Sequence, residues 1–145
     1  MPVQRSFYPS GRLQHEATVV NGRAQGVTRT WYESGQLQSE MPVQDGMAHG
    51  VCKFWAADGR LLGTFEMKAG TGVFCTWYDD GKPRTEVSMV RGVPTGRLRA
   101  WDEGGELTQD FRYKGRKISR KRYDALAAID SSLPRYDDTK TKTCA

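Results

Sequence analysis

The chain has 145 residues, a formal net charge of +5 and 37% hydrophobic residues, which predicts one compact unit with a modest core. No apolar run reaches even ten residues, which argues against a membrane span, and the first residues lack the pattern of a secretory signal. The three cysteines, Cys52, Cys75 and Cys144, are an odd number with no close pair. They argue against a disulfide framework and are compatible with a reducing cytoplasm.

One phrase recurs along the chain: an aromatic residue, a glycine four positions later and, in most copies, a leucine two positions after the glycine. The copies begin at Phe7, Trp31, Trp55, Trp77 and Trp101. Their glycines, at positions 11, 35, 59, 81 and 105, are spaced by 24, 24, 22 and 24 residues. A period in this range is typical of a repeat array.

The second copy shows how each repeat is predicted to fold. Residues 27–32 are rich in β-branched and aromatic side chains, which favour a strand. A three-residue loop with its glycine in the left-handed conformation follows, so that Trp31 lies opposite Leu37. A second strand then runs back to Gln44. The sequence therefore predicts an all-β repeat array, in which five consecutive hairpins form one elongated, twisted antiparallel sheet.

Simple alternation assigns the side chains of each copy to two faces. In the second copy, Trp31, Leu37, Met41 and Val43 form an apolar face, and Tyr32, Gln36, Gln38 and Glu40 form a polar one. The aromatic row is interpreted as a hydrophobic layer rather than as a recognition stripe, because aliphatic side chains share its face. A curled sheet, the C-terminal helix or a second subunit is needed to cover that layer, so a homodimer through the apolar face is one alternative.

The predicted polar face carries a ladder of acids interleaved with tyrosines. The acids are Glu16, Glu40, Glu86 and Asp110, and the tyrosines are Tyr8, Tyr32 and Tyr78. This ladder has two interpretations: a surface that engages a basic partner, or the solvated side of a sheet with cross-strand pairs to Arg and Thr. Cys52 is also placed on this face.

The third copy departs from the pattern, since its return turn at 68–72 is two residues short and Thr64 replaces the acid. After the fifth copy, Ser119 is predicted to cap a short helix that seals the array, with an apolar stripe of Ala125, Leu126 and Ile129. The predicted domains are residues 1–118 for the repeats, 119–133 for the helix and 134–145 for a mobile tail.

The basic character of the chain belongs to residues 112–122, which hold seven cations and no acid: Arg112, Lys114, Arg116, Lys117, Arg120, Lys121 and Arg122. Such a run has two interpretations: a charged surface for anionic lipid or the acids of a partner, or simply the solvated start of a helix. Nucleic-acid binding is not expected, because the run is short and Tyr113 alone is interleaved with it.

The repeated phrase, aromatic-Tyr-x-x-Gly-x-Leu-x-x-Glu followed by Gly-x-x-x-Gly, resembles the bacterial variant of the MORN repeat that occurs in YwqK-like antitoxins. The resemblance covers roughly residues 5–118, and the second copy matches best: Trp31, Tyr32, Gly35, Leu37, Glu40, Gly46 and Gly50. It implies a non-enzymatic β-repeat protein that binds other proteins, with some relatives neutralising toxins as antitoxins or immunity proteins.

The residues themselves offer little catalytic machinery. His15 and His49 occupy different repeat positions, and there is no nucleophile motif, phosphate-binding loop or clustered His/Cys set. We therefore expect no enzyme, cofactor or metal, and a cytoplasmic protein that neutralises a toxin by stoichiometric binding. The alternative is a scaffold or membrane-periphery adaptor that uses segment 112–122. The candidate partner-binding residues are Tyr8, Tyr32, Glu40, Tyr78, Glu86, Arg112, Lys114, Arg116, Lys117 and Arg120.

Overall fold

The structure, a computed structural model, describes residues 2–136 and residue 144. Its strands are β1 (Val3–Phe7), β2 (Leu13–Val20), β3 (Arg23–Trp31), β4 (Leu37–Gln44), β5 (Met47–Ala48), β6 (Gly50–Trp55), β7 (Leu61–Met67), β8 (Gly72–Trp77), β9 (Pro83–Val90), β10 (Val93–Trp101), β11 (Leu107–Tyr113) and β12 (Arg116–Ile118). One helix, α1 (Arg120–Ile129), follows them. Within these described residues, no helix is both long and apolar enough to cross a membrane.

The five predicted hairpins are confirmed. They are β1–β2, β3–β4, β6–β7, β8–β9 and β10–β11, and each aromatic residue lies opposite the predicted residue after the loop. In the second copy, Trp31 pairs with Leu37, and the Tyr32 N–H donates to the Gln36 carbonyl at 2.8 Å. Gly35 has φ +93°, the left-handed conformation that explains the fixed place of this glycine.

The hairpins are joined by tight return turns in which two residues with positive φ lie between the paired strand ends. Between β2 and β3, Asn21 and Gly22 have φ values of 51° and 77°, as a type I′ turn requires. The glycine N–H of one return turn donates to a carbonyl near the previous turn. These bonds run from Gly46 to Ala24 (3.0 Å), from Gly70 to Ala48 (2.8 Å), from Gly92 to Gly70 (3.0 Å) and from Gly115 to Pro94 (2.8 Å).

The strands form two antiparallel sheets, and this corrects the prediction of one continuous sheet. The first sheet has the order β1-β2-β3-β4-β6-β7 with β5 beside β4, and the second has the order β12-β11-β10-β9-β8. Their junction is the short return turn of the third copy. Within the described chain, β7 and β8 are joined by the isolated bridge Lys68–Thr71 instead of a continuous ladder.

The junction also differs from the other return turns in its lack of a bulge. After the first return turn, Thr18 pairs with Gln25 but Glu16 pairs with Arg29, so β3 contains two extra residues beside Gly26. Similar shifts follow the second and fourth return turns. The third copy is two residues short and has no residues for this bulge. This turn therefore differs from the others in lacking a bulge, and it is also the place where the chain passes from one sheet to the other.

Aromatic packing fills the junction between the sheets. Trp77 is 7% exposed, and its indole lies directly over the backbone of Gly63. Its ring centroid is 6.0 Å from Phe54, and Phe65 and Phe74 are 4.7 Å apart beside it. The two sheets are therefore held together by side-chain packing where the hydrogen-bonded ladder ends.

A second kind of bulge overturns the predicted division into faces. Trp31 pairs with Leu37 but Thr30 pairs with Ser39, so one extra residue is inserted in β4. Because of this shift, Met41 lies opposite Thr28 on the other face from Trp31. Cys52, expected on the polar face, pairs with Phe65 and is fully buried.

The predicted helix is confirmed, but its buried stripe is different. Ser119 caps it by accepting a hydrogen bond from the Arg122 N–H at 3.1 Å. Tyr123 and Ala127 are buried, with Phe111 of β11 in the same cluster, whereas Ile129 is 85% exposed. Of the predicted stripe, Leu126 packs against this cluster, whereas Ala125 and Ile129 are exposed, because Tyr123 and Ala127 are the i, i+4 pair facing the sheet.

Part of the segment predicted to be a mobile tail packs on the second sheet. The Arg97 N–H donates to the Tyr136 hydroxyl at 2.8 Å, and the Arg97 guanidinium lies 4.5 Å from the Tyr136 ring centroid. Cys144 is buried and disulfide-bonded to Cys75, with their Cα atoms 6.2 Å apart. The expectation of no disulfide is thus wrong, and residues 137–143 and 145 lie outside the described part of the chain.

The contact between Trp77 and Gly63 leads to a stability prediction. Gly63→Ser should lower the free energy of unfolding by about 1–3 kcal/mol, because the new side chain would overlap the indole. Urea unfolding measures the effect. Gly104→Ala is the matched control, since its Cβ would meet nothing closer than the Asp102 Oδ1 at 3.4 Å. Equal midpoints for the two variants would contradict the packing.

Thiol titration tests the disulfide. The native, unreduced protein should show no reactive thiol, because Cys52 is fully buried and burial raises the pKa of its thiol to about 11. The denatured protein should show one thiol without reductant and three after reduction. Three thiols in denaturant before reduction would contradict the Cys75–Cys144 pair.

Candidate binding surfaces

The tyrosine that recurs in three of the repeats links its hairpin to the next one. Each hydroxyl donates to the main-chain carbonyl of the following aromatic residue: Tyr8 to Trp31 (2.6 Å), Tyr32 to Trp55 (2.8 Å) and Tyr78 to Trp101 (2.7 Å). Burial, followed by the charge of Asp79, raises the pKa of Tyr32, so its hydroxyl keeps its proton at neutral pH. These three predicted contact residues are therefore engaged within the protein.

Two copies lack this tyrosine, and the structure gives one of them a clear reason. Ala56 of the third copy is 1% exposed at the junction between the sheets, where its small side chain is enclosed. The fifth copy has Asp102, whose carboxylate instead accepts a hydrogen bond from the Glu106 N–H at 2.8 Å. The sequence departures thus mark the junction and the last hairpin loop.

The acids of the predicted ladder are paired across the strands with cations. Along the first sheet the register gives the order Arg5, Glu16, Arg29, Glu40, Lys53 and Thr64. The Arg5 Nε lies 2.9 Å from Glu16 and the Arg29 Nε lies 3.1 Å from Glu40. We call the five charged residues of this series, Arg5 to Lys53, the charge ladder. Its alternating signs match the interpretation of a sheet surface with cross-strand ion pairs.

In the second sheet the equivalent acid is buried. Glu86 is 3% exposed, lies 3.5 Å from the Arg97 Nη2 and accepts a hydrogen bond from the Cys144 N–H at 3.3 Å. Burial, followed by the nearby charge of Arg99, lowers the pKa of Arg97. Glu86, predicted to lie on the polar face with the other acids, is instead buried beside Arg97 and Cys144 and is not part of an exposed ladder.

The aromatic row lies on the same face as the charge ladder, since Trp31 and Arg29 are two residues apart in β3. Phe7 is 56% exposed and Leu61 is 54% exposed, while Trp31 and Trp55 are partly buried. We call Phe7, Leu13, Trp31, Leu37, Trp55 and Leu61 the aromatic row of the first sheet. It combines exposed apolar surface with the fixed charges beside it.

Three cations of the basic segment 112–122 lie close to acids, and five are exposed to solvent, with Lys117 in both groups. Asp110 lies 3.9 Å from the Arg112 Nη2 and 3.3 Å from the Lys117 Nζ. Arg120 lies 3.5 Å from Asp124, and its guanidinium is 5.4 Å from the Phe111 ring centroid. The side chains exposed to solvent are those of Lys114, Arg116, Lys117, Lys121 and Arg122.

The described residues show no group of three or more His, Cys, Asp or Glu side chains placed to hold a metal ion. His15 is paired with Ser6 and Thr30 in the sheet, and the His49 Nδ1 accepts a hydrogen bond from the Ala69 N–H at 2.9 Å. A depression of about 580 Å³ lies beside the fourth hairpin loop and is lined by Trp77, Tyr78, Asp79, Asp80, Arg84 and Glu103. This lining lacks a paired nucleophile and base.

Sequence reasoning missed several contacts that organise these surfaces. The Arg12 Nη1 donates to the Glu33 carbonyl at 3.1 Å, and the Arg60 Nη2 donates to the Asp79 carbonyl at 2.8 Å. A signal for them existed, because both arginines directly follow the loop glycine of their copies. No comparable signal pointed to Tyr136, which lies 39 residues from its partner Arg97.

Comparison with known families agrees with this geometry. A protein-family model described as the MORN repeat variant matches residues 24–45 of the sequence. These residues cover most of β3, the hairpin loop, β4 and the start of the next return turn. No curated protein matches the chain. The match identifies a repeat module without known catalytic activity, of a type that suggests a scaffold or binding role.

The tyrosine bonds give a prediction about stability. Tyr32→Phe should lower the free energy of unfolding by about 1 kcal/mol, because it removes the hydrogen bond to the Trp55 carbonyl and keeps the ring. Tyr113→Phe is the control, since its hydroxyl has no hydrogen bond to any of the residues described here. Chemical denaturation compares both with the parent. A larger loss for Tyr113→Phe would contradict the assigned role.

Proposed function

We propose that this protein is a non-enzymatic binding module that neutralises a protein toxin by stoichiometric contact, as an immunity protein or antitoxin. The observation that carries the binding proposal is the aromatic row of the first sheet. Its two ends, Phe7 and Leu61, are more than half exposed, and two partly buried tryptophans lie between them. Aromatic anchors surrounded by polar groups are typical of residues that dominate protein interfaces.

The charge ladder supports a protein partner over a simple ionic ligand. Its cations and acids already pair across the strands, so a small ion of either sign would gain little binding energy by contacting it. A protein surface with its own alternating charges is able to match the ladder while it covers the aromatic row. Of the predicted contact residues, Glu40 lies on this surface. The hydroxyls of Tyr8, Tyr32 and Tyr78 instead bond to the following repeats.

The identification of the partner as a toxin is the most specific part of the proposal. It rests on the resemblance of the repeated phrase to that of YwqK-like antitoxins, whereas the MORN repeat variant match over residues 24–45 supports the repeat module alone. Neutralisation by occlusion requires a rigid surface, and repeated hairpins joined by main-chain and tyrosine bonds provide one. The cytoplasmic location stays a prediction, and the Cys75–Cys144 disulfide gives it no support.

The proposal predicts a single tight partner in the native host. Affinity capture should recover a protein that stops growth when expressed alone and is tolerated when co-expressed with this chain. Phe7→Ser combined with Leu61→Ser should weaken binding at least tenfold and abolish the rescue, because both exposed anchors are lost. Isothermal titration and growth measurements provide the readouts.

Ile129→Ser is the matched control, because Ile129 is 85% exposed on α1, away from the aromatic row. It should leave both affinity and rescue unchanged. A non-toxic partner would remove the toxin from the proposal. Salt-sensitive flotation with anionic liposomes, lost when the exposed cations of the basic segment are replaced, would instead favour the membrane-periphery adaptor.

A further inference from the structure

We propose that the outer edge of β1 binds an extended, acidic strand of a protein partner, which pairs with β1 so that an Asp or Glu lies opposite Arg5. This site adjoins the aromatic row at Phe7, uses the main chain of the edge strand rather than the sheet face, and does not require the partner to be a toxin. All five residues of β1 are exposed. Within the described residues β1 pairs with β2 along one edge and with no strand along the other.

The main chain of β1 offers hydrogen-bonding groups at this edge. The Val19 N–H donates to the Pro2 carbonyl at 3.0 Å, which makes Pro2 and Val19 a hydrogen-bonded pair. Such pairs alternate in antiparallel sheets, so Gln4 bonds to β2 and its neighbours Val3 and Arg5 point their N–H and C=O groups outward. An extended chain placed there completes an ordinary ladder.

The charge ladder specifies the residue that faces Arg5. Neighbouring strands alternate from Arg5 to Glu16, Arg29, Glu40 and Lys53, and the series ends at the edge on an arginine. The Arg5 side chain is 50% exposed although its Nε contacts Glu16. A carboxylate on an added strand continues the alternation, whereas a cation meets like-charge repulsion.

The end of the strand adds two further features. Phe7 occupies the repeat position at which Trp31, Trp55 and Trp101 accept the tyrosine hydroxyl of the preceding copy. By the same geometry its carbonyl points to the outer edge and is able to accept a hydroxyl from the partner. Its ring is 56% exposed, so it also supplies apolar contact at one end of the docked strand.

The same charges disfavour pairing between two copies of the protein. Antiparallel pairing of β1 with β1 about Arg5 would place two arginines opposite each other. The outer strand of the second sheet, β12, presents Arg116 and Lys117, which again oppose Arg5 with like charge. The edge thus selects a different, acidic chain and resists self-association.

A peptide with the sequence of β2 (Leu13–Val20) and blocked ends is a suitable probe. Within the protein this sequence already pairs with β3 through Glu16 and Arg29, the type of pair required at the edge. We expect the labelled peptide to bind the intact protein in an anisotropy titration. A peptide carrying Glu16→Lys should bind about fivefold more weakly. The Arg5→Glu protein should reverse this preference.

Two further protein variants separate charge from main-chain pairing. Val3→Pro removes an outward N–H, a substitution that edge strands tolerate, and should weaken both peptides while circular dichroism stays unchanged. Arg23→Glu alters an exposed cation in β3 away from this edge and should change neither affinity. Hydrogen exchange should slow at the Val3 and Arg5 amides when the peptide binds.

Several results would overturn the proposal. They are equal affinity of the parent protein for both peptides, no measurable binding of either, or slowed exchange confined to residues outside β1. A dimer of the parent protein in sedimentation that Val3→Pro dissociates would also overturn it, because the edge would then bind a second copy.

Discussion

The main-chain bonds between successive return turns are the constraint on which the rest of this structure depends. Each glycine N–H reaches back to a carbonyl near the previous turn, and this series continues across the junction where the strand ladder stops. It keeps the hairpins in sequence even though the short third return turn separates the strands into two sheets. The tyrosine hydroxyls add a second set of links on the opposite side of the hairpins. Together they produce a rigid surface from repeats that individually bury little.

The hairpins were predictable because their loops need a glycine at a fixed position, and the partner of each aromatic residue follows from loop length. The bulges were not, since the extra residue beside Leu37 in β4 leaves no mark on the hydrophobic pattern. One inserted residue moved Met41 to the other face, so the predicted division into an apolar and a polar face failed. The short turn at 68–72 was visible in the sequence, but the division of the sheet at this turn was not.

The candidate site was predictable only in part, for a related reason. Repetition identified the tyrosines, but a repeated polar residue serves either a partner or the next repeat, and here the hydroxyl of Tyr32 bonds to the next repeat. Glu86 shares its repeat position with Glu40 and has a different environment, because Cys144 and Arg97 cover it. Contacts between residues far apart in sequence, such as Cys75 and Cys144, have no local pattern that reveals them.

The disulfide gives the two sheets different covalent topology. Residues 75–144 form a closed ring that contains nearly all of the second sheet and the helix, whereas the first sheet lies on an open chain outside it. A single backbone cut inside the ring leaves both fragments attached through sulfur. A single cut in the first sheet leaves its outer strands attached by non-covalent contacts alone. The surface proposed for recognition therefore lies on the first sheet, part of which can dissociate after a single cut. The second sheet, which carries the basic segment, stays covalently linked.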